Sequence, residues 1–216
     1  LLLFDLSGVL FDVDQASCAA IKKTAEFFLG RNLDDDIITQ SPGNGLDECY
    51  EACEKLIINN GGHSIRAHSI TKKFQEYYQG RNFNGYILDE KPLVDEKLLK
   101  TLRRYTLAIA TERGDKEAEF CLEKAGLLPY FTHIVSYNNL EEEAPPASYI
   151  EKSIKKLKAT KESTLFIGGH SNGLQVSQEL SIPYVAVIQG KENKQLMKEQ
   201  GAHAVLSSIK KIKDVL

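Results

Sequence analysis

Asp5 is the residue whose surroundings in the sequence point most directly to chemistry. It follows four apolar residues, Leu1 to Phe4, and precedes Gly8 in the opening stretch LLLFDLSGVLFDVD. A short apolar run bounded by a carboxylate and a glycine reads as a buried strand ending in a turn. Asp5 then sits at the strand's C-terminal edge, where ligands bind in open α/β sheets, and is a candidate nucleophile or metal ligand. Cys49 and Cys53 offer a second chemistry, since they lie one helical turn apart and could share a metal. No second Cys or His pair stands at ligand spacing, so two small buried thiols on one helix face is the better reading.

An edge of this kind exists only if later strands pair with the first. After Asp14 the apolar period becomes helical, with Ala16, Ala19, Ala20, Thr24, Phe27 and Phe28 recurring and Gly30 as the stop. Further helices are predicted around Glu48 to Ile58 and Ser69 to Tyr78, separated by a turn at Ser41 to Gly45 and a break at Gly61-Gly62. Lys91-Pro92 marks the return, because proline discourages helix at the residue before it. A helix follows with Val94, Leu98, Leu99 and Leu102 on one face, then a strand at Leu107 to Thr111 and a helix over Lys116 to Ala125. His133 to Ser136, Leu165 to Gly168, Tyr184 to Ile188 and Ala204 to Leu206 read as strands. Ile150 to Leu157, Lys194 to Gln200 and Ser207 to Val215 read as helices. This βα alternation predicts an α/β fold with a parallel sheet covered on both faces. The helical insert spans residues 15–88, and residues 1–14 and 89–216 form the core.

Composition narrows the class. At 216 residues, with 42% hydrophobic and 26% charged, the chain is long enough for a full core and typical of a soluble globular protein. The net charge of −3 comes from interleaved acids and bases, so no basic stripe suits nucleic acid and no polybasic patch suits anionic lipid. No apolar run approaches the roughly 20 residues that span a bilayer. The four cysteines are too sparse for a disulfide scaffold and fit a cytoplasmic protein.

The opening stretch resembles the first motif of the haloacid dehalogenase-like (HAD) phosphohydrolases, Asp-x-Asp-Gly-Thr/Val-Leu after a hydrophobic strand, through Asp5, Gly8, Val9 and Leu10. The resemblance implies a Rossmann-like core with a small helical cap after the first strand. It also assigns roles. The second aspartate, the family's general acid/base, is replaced by Ser7. Thr111 matches the Ser or Thr that hydrogen-bonds the transferring phosphoryl group. The Lys-Pro pair, whose lysine neutralises phosphoryl charge, has become Ala144-Pro145. The Gly-Asp-x-x-x-Asp motif that holds magnesium reads Gly168, then Gly169 and Gly173 at both acidic positions. The turn at Ser41 to Gly45 falls where such caps carry a substrate-facing loop, or is a plain interhelical turn.

These replacements bear on the chemistry. Phosphoryl transfer depends on positioning and charge neutralisation, and magnesium demands hard oxygen ligands. Of the implied set, Asp5 and the Ser7 carbonyl remain. Losing one electrostatic stabiliser costs roughly a hundred- to a thousand-fold in rate. The expectation is a degenerate site with relic catalytic positions at Asp5, Ser7, Thr111 and Ala144, and a relic metal site at Asp5, Gly169 and Gly173. Such a protein is catalytically impaired and acts in binding or regulation. The alternative is a weak or unconventional hydrolase, of phosphatase or dehalogenase type, with Asp5 as nucleophile. Glu112, Arg113, Glu141 to Glu143 and His170 stand near the site as substitutes, although each reads first as a solvated loop charge. His170 is the best of these, because a histidine side chain is suited to proton transfer. No cofactor is expected, save Mg2+ for any residual hydrolysis. A small anion or phosphate is expected at backbone N–H groups of Ser7 and Gly8 and of Gly168, Gly169 and His170. Nucleic acid and membrane are not expected partners, and no protein partner is specified.

Overall fold

The structure is a computed structural model that describes residues 1–38, 46–136, 147–188 and 191–216. It divides into two compact units, Leu1–Phe11 with Pro92–Leu216, and Asp12–Lys91. No helix among the described residues is long and apolar enough to cross a membrane.

The unit Asp12–Lys91 is helical. Its first helix, α1 (Asp14–Leu29), buries Ala16, Ser17, Ala20, Ile21, Thr24 and Ala25, and the Thr24 hydroxyl donates to the Ala20 carbonyl at 2.7 Å. Gly30 ends it at φ 66°, a left-handed turn that glycine adopts without penalty, with its N–H on the Glu26 carbonyl. The next helix, α2 (Leu46–Asn59), turns Cys49, Cys53 and Ile57 inward at four-residue spacing. Burial pushes both thiols up to about 12, so they stay neutral and pack as small apolar groups. A third helix, α3 (Ala67–Tyr78), buries Ile70, Phe74 and Tyr78, with Phe74 against Tyr50 and Tyr78. The Tyr78 hydroxyl donates to the buried Glu90 carboxylate at 2.6 Å. The turn at Ser41 to Gly45 lies outside the described residues.

The other unit is built on a sheet. Its strands are β1 (Leu2–Phe4), β4 (Leu107–Thr111), β5 (Ile134–Ser136), β6 (Leu165–Gly168), β7 (Tyr184–Val187) and β8 (Ala204–Leu206). The order is β5-β4-β1-β6-β7-β8, with every pair parallel. Two short strands, β2 (Phe11–Asp12) and β3 (Lys91–Pro92), pair where the chain leaves this unit and returns. Leu2 faces Leu107 on one side and Leu165 on the other, so β1 is central. Its all-apolar sequence follows from burial on both faces, where alternation has no use. Leu3, Ala108, Ala110, Phe166, Tyr184 and Ala186 pack on one face against Ile150 of α6 (Ser148–Lys156) and Leu174 and Leu180 of α7 (Ser171–Leu180). Strand alternation sends the buried Leu2, Phe4, Ile109 and Ile167 to the other face, where Phe4 meets Phe131 edge-on at 6.0 Å.

The remaining helices are α4 (Glu96–Thr101), α5 (Asp115–Lys124) and α8 (Lys191–Glu199). Two elements differ from expectation. The segment after Gly168, which gave no helical signal, forms α7, and the predicted helix at 207–215 is a 3-10 helix over Ile209–Val215.

Candidate active site

Asp5 is the first residue past β1. Its N–H donates to the Ile167 carbonyl at 2.9 Å, extending the β1–β6 ladder by one bond. One carboxylate oxygen accepts from the Leu6 N–H at 2.7 Å, and the Thr111 hydroxyl binds the same carboxylate. Thr111 is the last residue of β4, so the parallel register itself brings the two strand ends together. Burial raises the Asp5 carboxyl above its ordinary value. The charge of His170, the Leu6 N–H, the Thr111 hydroxyl and Arg113 oppose that rise.

Gly168 ends β6, the strand on the other side of β1, and the chain turns through Gly169 and His170 into α7. His170 is the N-cap residue, and its Nε2 lies 4.0 Å from the Asp5 Oδ2 with the two side chains 14% and 17% exposed. Its backbone is pinned from behind. The Tyr184 hydroxyl donates to the His170 carbonyl at 2.8 Å and accepts from the His170 N–H at 3.2 Å. Tyr184, the first residue of β7, meets Phe166 edge-on at 5.5 Å. Gly168 and Gly173 give the ring its room. A Cβ on Gly168 would run into the Tyr184 hydroxyl. One on Gly173 would lie 3.0 Å from that hydroxyl, 3.1 Å from the ring and 3.2 Å from Phe166.

The structure thus brings Asp5, Thr111 and the turn from Gly168 to His170 to adjoining strand ends. Ser7 lies two residues past Asp5, buried, in a turn that Gly8 makes with φ 72°. Ala144 lies outside the described residues, as do Glu141 to Glu143. Two of the amides expected to hold an anion are committed elsewhere: the Gly8 N–H donates to the Phe11 carbonyl at 2.8 Å, and the His170 N–H to Tyr184.

Arg113 overturns its reading as a solvated loop charge. It is buried, with Nε donating to the Glu117 carboxylate at 2.7 Å and Nη2 to the Cys121 sulfur at 3.5 Å. Its backbone N–H donates to the Thr111 hydroxyl oxygen at 3.3 Å, tying the loop to the strand end. Sequence reasoning also passed over two buried tyrosines. The hydroxyls of Tyr149 and Tyr184 are both made less acidic, first by burial and next by the negative charge of Asp5. Tyr184 is thereby kept a neutral donor, to the His170 carbonyl.

Residues 2–187 match the family profile described as haloacid dehalogenase-like hydrolase. The chain belongs to that family. Among relatives of this HAD-like chain, pyrophosphatase PpaX of Oceanobacillus iheyensis is 20% identical over 98% of the chain and 94% of its own length. Phosphoglycolate phosphatase of Colwellia psychrerythraea is 23% identical over 88% of the chain and 84% of its own length. A crystal structure described as a predicted phosphoglycolate phosphatase from Haemophilus somnus superposes with a TM-score of 0.78 at 16% identity, covering 100% of this chain and 96% of that one. The α/β fold with its six-stranded parallel sheet and helical insert is thus that of the HAD structures.

HAD-like phosphatases imply magnesium, and the described residues do not fit it. Among the described residues no group of three or more His, Cys, Asp or Glu is placed to hold a metal ion. At Gly173, where the motif resemblance expects a metal-binding carboxylate, a side chain would meet Tyr184 and Phe166.

Proposed function

We propose that this HAD-like hydrolase takes small phosphate esters at Asp5 and hydrolyses them slowly, without the family's magnesium arrangement. The observation that carries the reading is the Asp5 carboxylate at the edge of the central strand, held by the Leu6 N–H and the Thr111 hydroxyl. A phosphatase and a pyrophosphatase among the relatives support the substrate class and favour hydrolysis over binding alone.

In this reading a carboxylate oxygen of Asp5 forms a bond to phosphorus while the ester oxygen leaves with its electron pair and takes a proton from water. Water then cleaves the aspartyl phosphate, regenerating Asp5. Ser7 offers no acid for the leaving oxygen, and His170 Nε2 stands 4.0 Å from the nucleophile's Oδ2. Turnover is expected well below the typical ~10 per second, because each missing stabiliser costs roughly a hundred-fold or more. Residues 15–88 act as the cap of the family pattern and residues 1–14 with 89–216 as its core. Four free cysteines support work in the cytoplasm.

The test is release of phosphate from an aryl phosphate and a panel of small phosphate esters, with magnesium and with chelator. Slow release that is indifferent to chelator and lost in Asp5→Asn is the expected result. Hydrolysis that survives in Asp5→Asn would overturn it. A second reading, ligand binding without turnover, is favoured by Tyr184 standing against Gly173, and binding of the esters without phosphate release would establish it.

A further inference from the structure

We infer that Tyr184 closes the magnesium cradle of this chain, so that carboxylates restored at residues 169 and 173 do not by themselves bring the metal back. Tyr184 belongs to none of the family's motifs and lies on β7, outside the metal loop. Its ring is nonetheless the object that a side chain on Gly173 meets, at 3.0 Å from Oη and 3.1 Å from Cε2, and it rests across Gly168 as well. Contacts of 3.0 to 3.4 Å are relieved only if the neighbour gives way. Tyr184 is poorly able to do so: it is 2% exposed, edge-on to Phe166, and joined by two hydrogen bonds to the His170 backbone.

Nor is its hydroxyl a replacement ligand. Its proton is donated to the His170 carbonyl and its oxygen accepts from the His170 N–H. Magnesium binds through carboxylates, carbonyls and waters in near-ideal octahedral geometry and tolerates little displacement. A carboxylate on residue 173 has to be carried on a Cβ that already stands against the ring. The metal is excluded here by an added side chain as well as by missing acids.

The experiment is calorimetric titration of the full chain with magnesium chloride. The variants are the wild type, Gly169→Asp/Gly173→Asp, and that pair combined with Tyr184→Val or with Tyr184→Phe. Wild type, the double variant and the Tyr184→Phe form, which keeps the ring, should bind too weakly to measure. The Tyr184→Val form should bind at least about tenfold more tightly than the double variant. Equal affinity with and without Tyr184 would overturn the inference, as would absence of binding in a folded Tyr184→Val form.

A metal-free cycle covers the case in which the multiple variants fail to fold. Gly173→Asp should lower the melting temperature more in the Tyr184 protein than in Tyr184→Val, and equal losses would refute the obstruction. The inference rests on the reading of Asp5 as the site, and Asp5→Asn in the Tyr184→Val form separates the two. Magnesium binding that survives Asp5→Asn would unseat Asp5 as a ligand, while the metal-free cycle would still report on Tyr184.

Discussion

Burial raises the Asp5 carboxyl above its ordinary value of 3.8, so the folded protein holds that proton more tightly than the unfolded chain. The stability Asp5 contributes is therefore present at and below the unfolded value and is lost as pH rises through the folded one. Asp5→Asn should raise the melting temperature at pH 7 and remove that decline. Equal melting curves for the two proteins across this window would contradict it. Arg113 presents the opposite case, a buried cation with its partner in reach. Arg113→Met leaves Glu117 buried without its guanidinium and should cost about 3 to 5 kcal/mol in urea unfolding, much of it recovered in Arg113→Met/Glu117→Leu. Asp5, Thr111 and Gly168 were legible in the sequence because each ends an apolar run. Arg113 and Glu117 stand at helical i,i+4 spacing, but nothing in that spacing tells a buried pair from an exposed one. Tyr184 and Tyr149 feel the charge of Asp5 from other elements, so no local spacing encodes them. The one hint is the trio Gly168, Gly169 and Gly173, which leaves a volume that a large side chain from elsewhere must fill.

The strands were the most readable elements, since LAIAT, LFIG and YVAVI are each apolar runs too short for helices and flanked by polar residues, glycine or proline. Helix α7 was not legible. Its sequence SNGLQVSQEL places a glycine in the first turn, which lowers intrinsic helicity, and packing of Leu174 and Leu180 on the sheet overrides that preference. This gives a test of the packing. Gly173→Ala would stabilise an open helical site by about 1 kcal/mol, whereas here the added Cβ meets a ring fixed by two hydrogen bonds. The variant should melt below the wild type, and a gain in stability would show that Tyr184 yields. Where sequence and structure agree without effort, as at α4, the reason is local. Asp95 caps that helix by accepting the Leu98 N–H at 2.8 Å, and Asp95→Ala should cost about 1 kcal/mol in thermal unfolding.

At the scale of the molecule, the sheet unit is made from two separate lengths of chain whose ends lie side by side. The Leu93 N–H donates to the Leu10 carbonyl at 2.7 Å, and β2 pairs with β3 at the same place. Replacing residues 12–91 by a short Gly/Ser linker should therefore leave a folded sheet, recognisable by far-ultraviolet circular dichroism and a cooperative melt. A product without cooperative unfolding would mean that the sheet unit cannot stand alone. The central position of β1 also has a consequence in time. During synthesis Leu2 to Phe4 precede their partners on β4 by about a hundred residues and those on β6 by more. At about 5 to 20 residues per second the ribosome needs roughly 5 to 20 s to deliver the first of those partners. For much of that interval an apolar strand with both edges unpaired is exposed, while the helical unit between them, a single continuous length of chain, is completed first. The order of emergence makes this nascent segment a natural client for a chaperone that shields short apolar stretches.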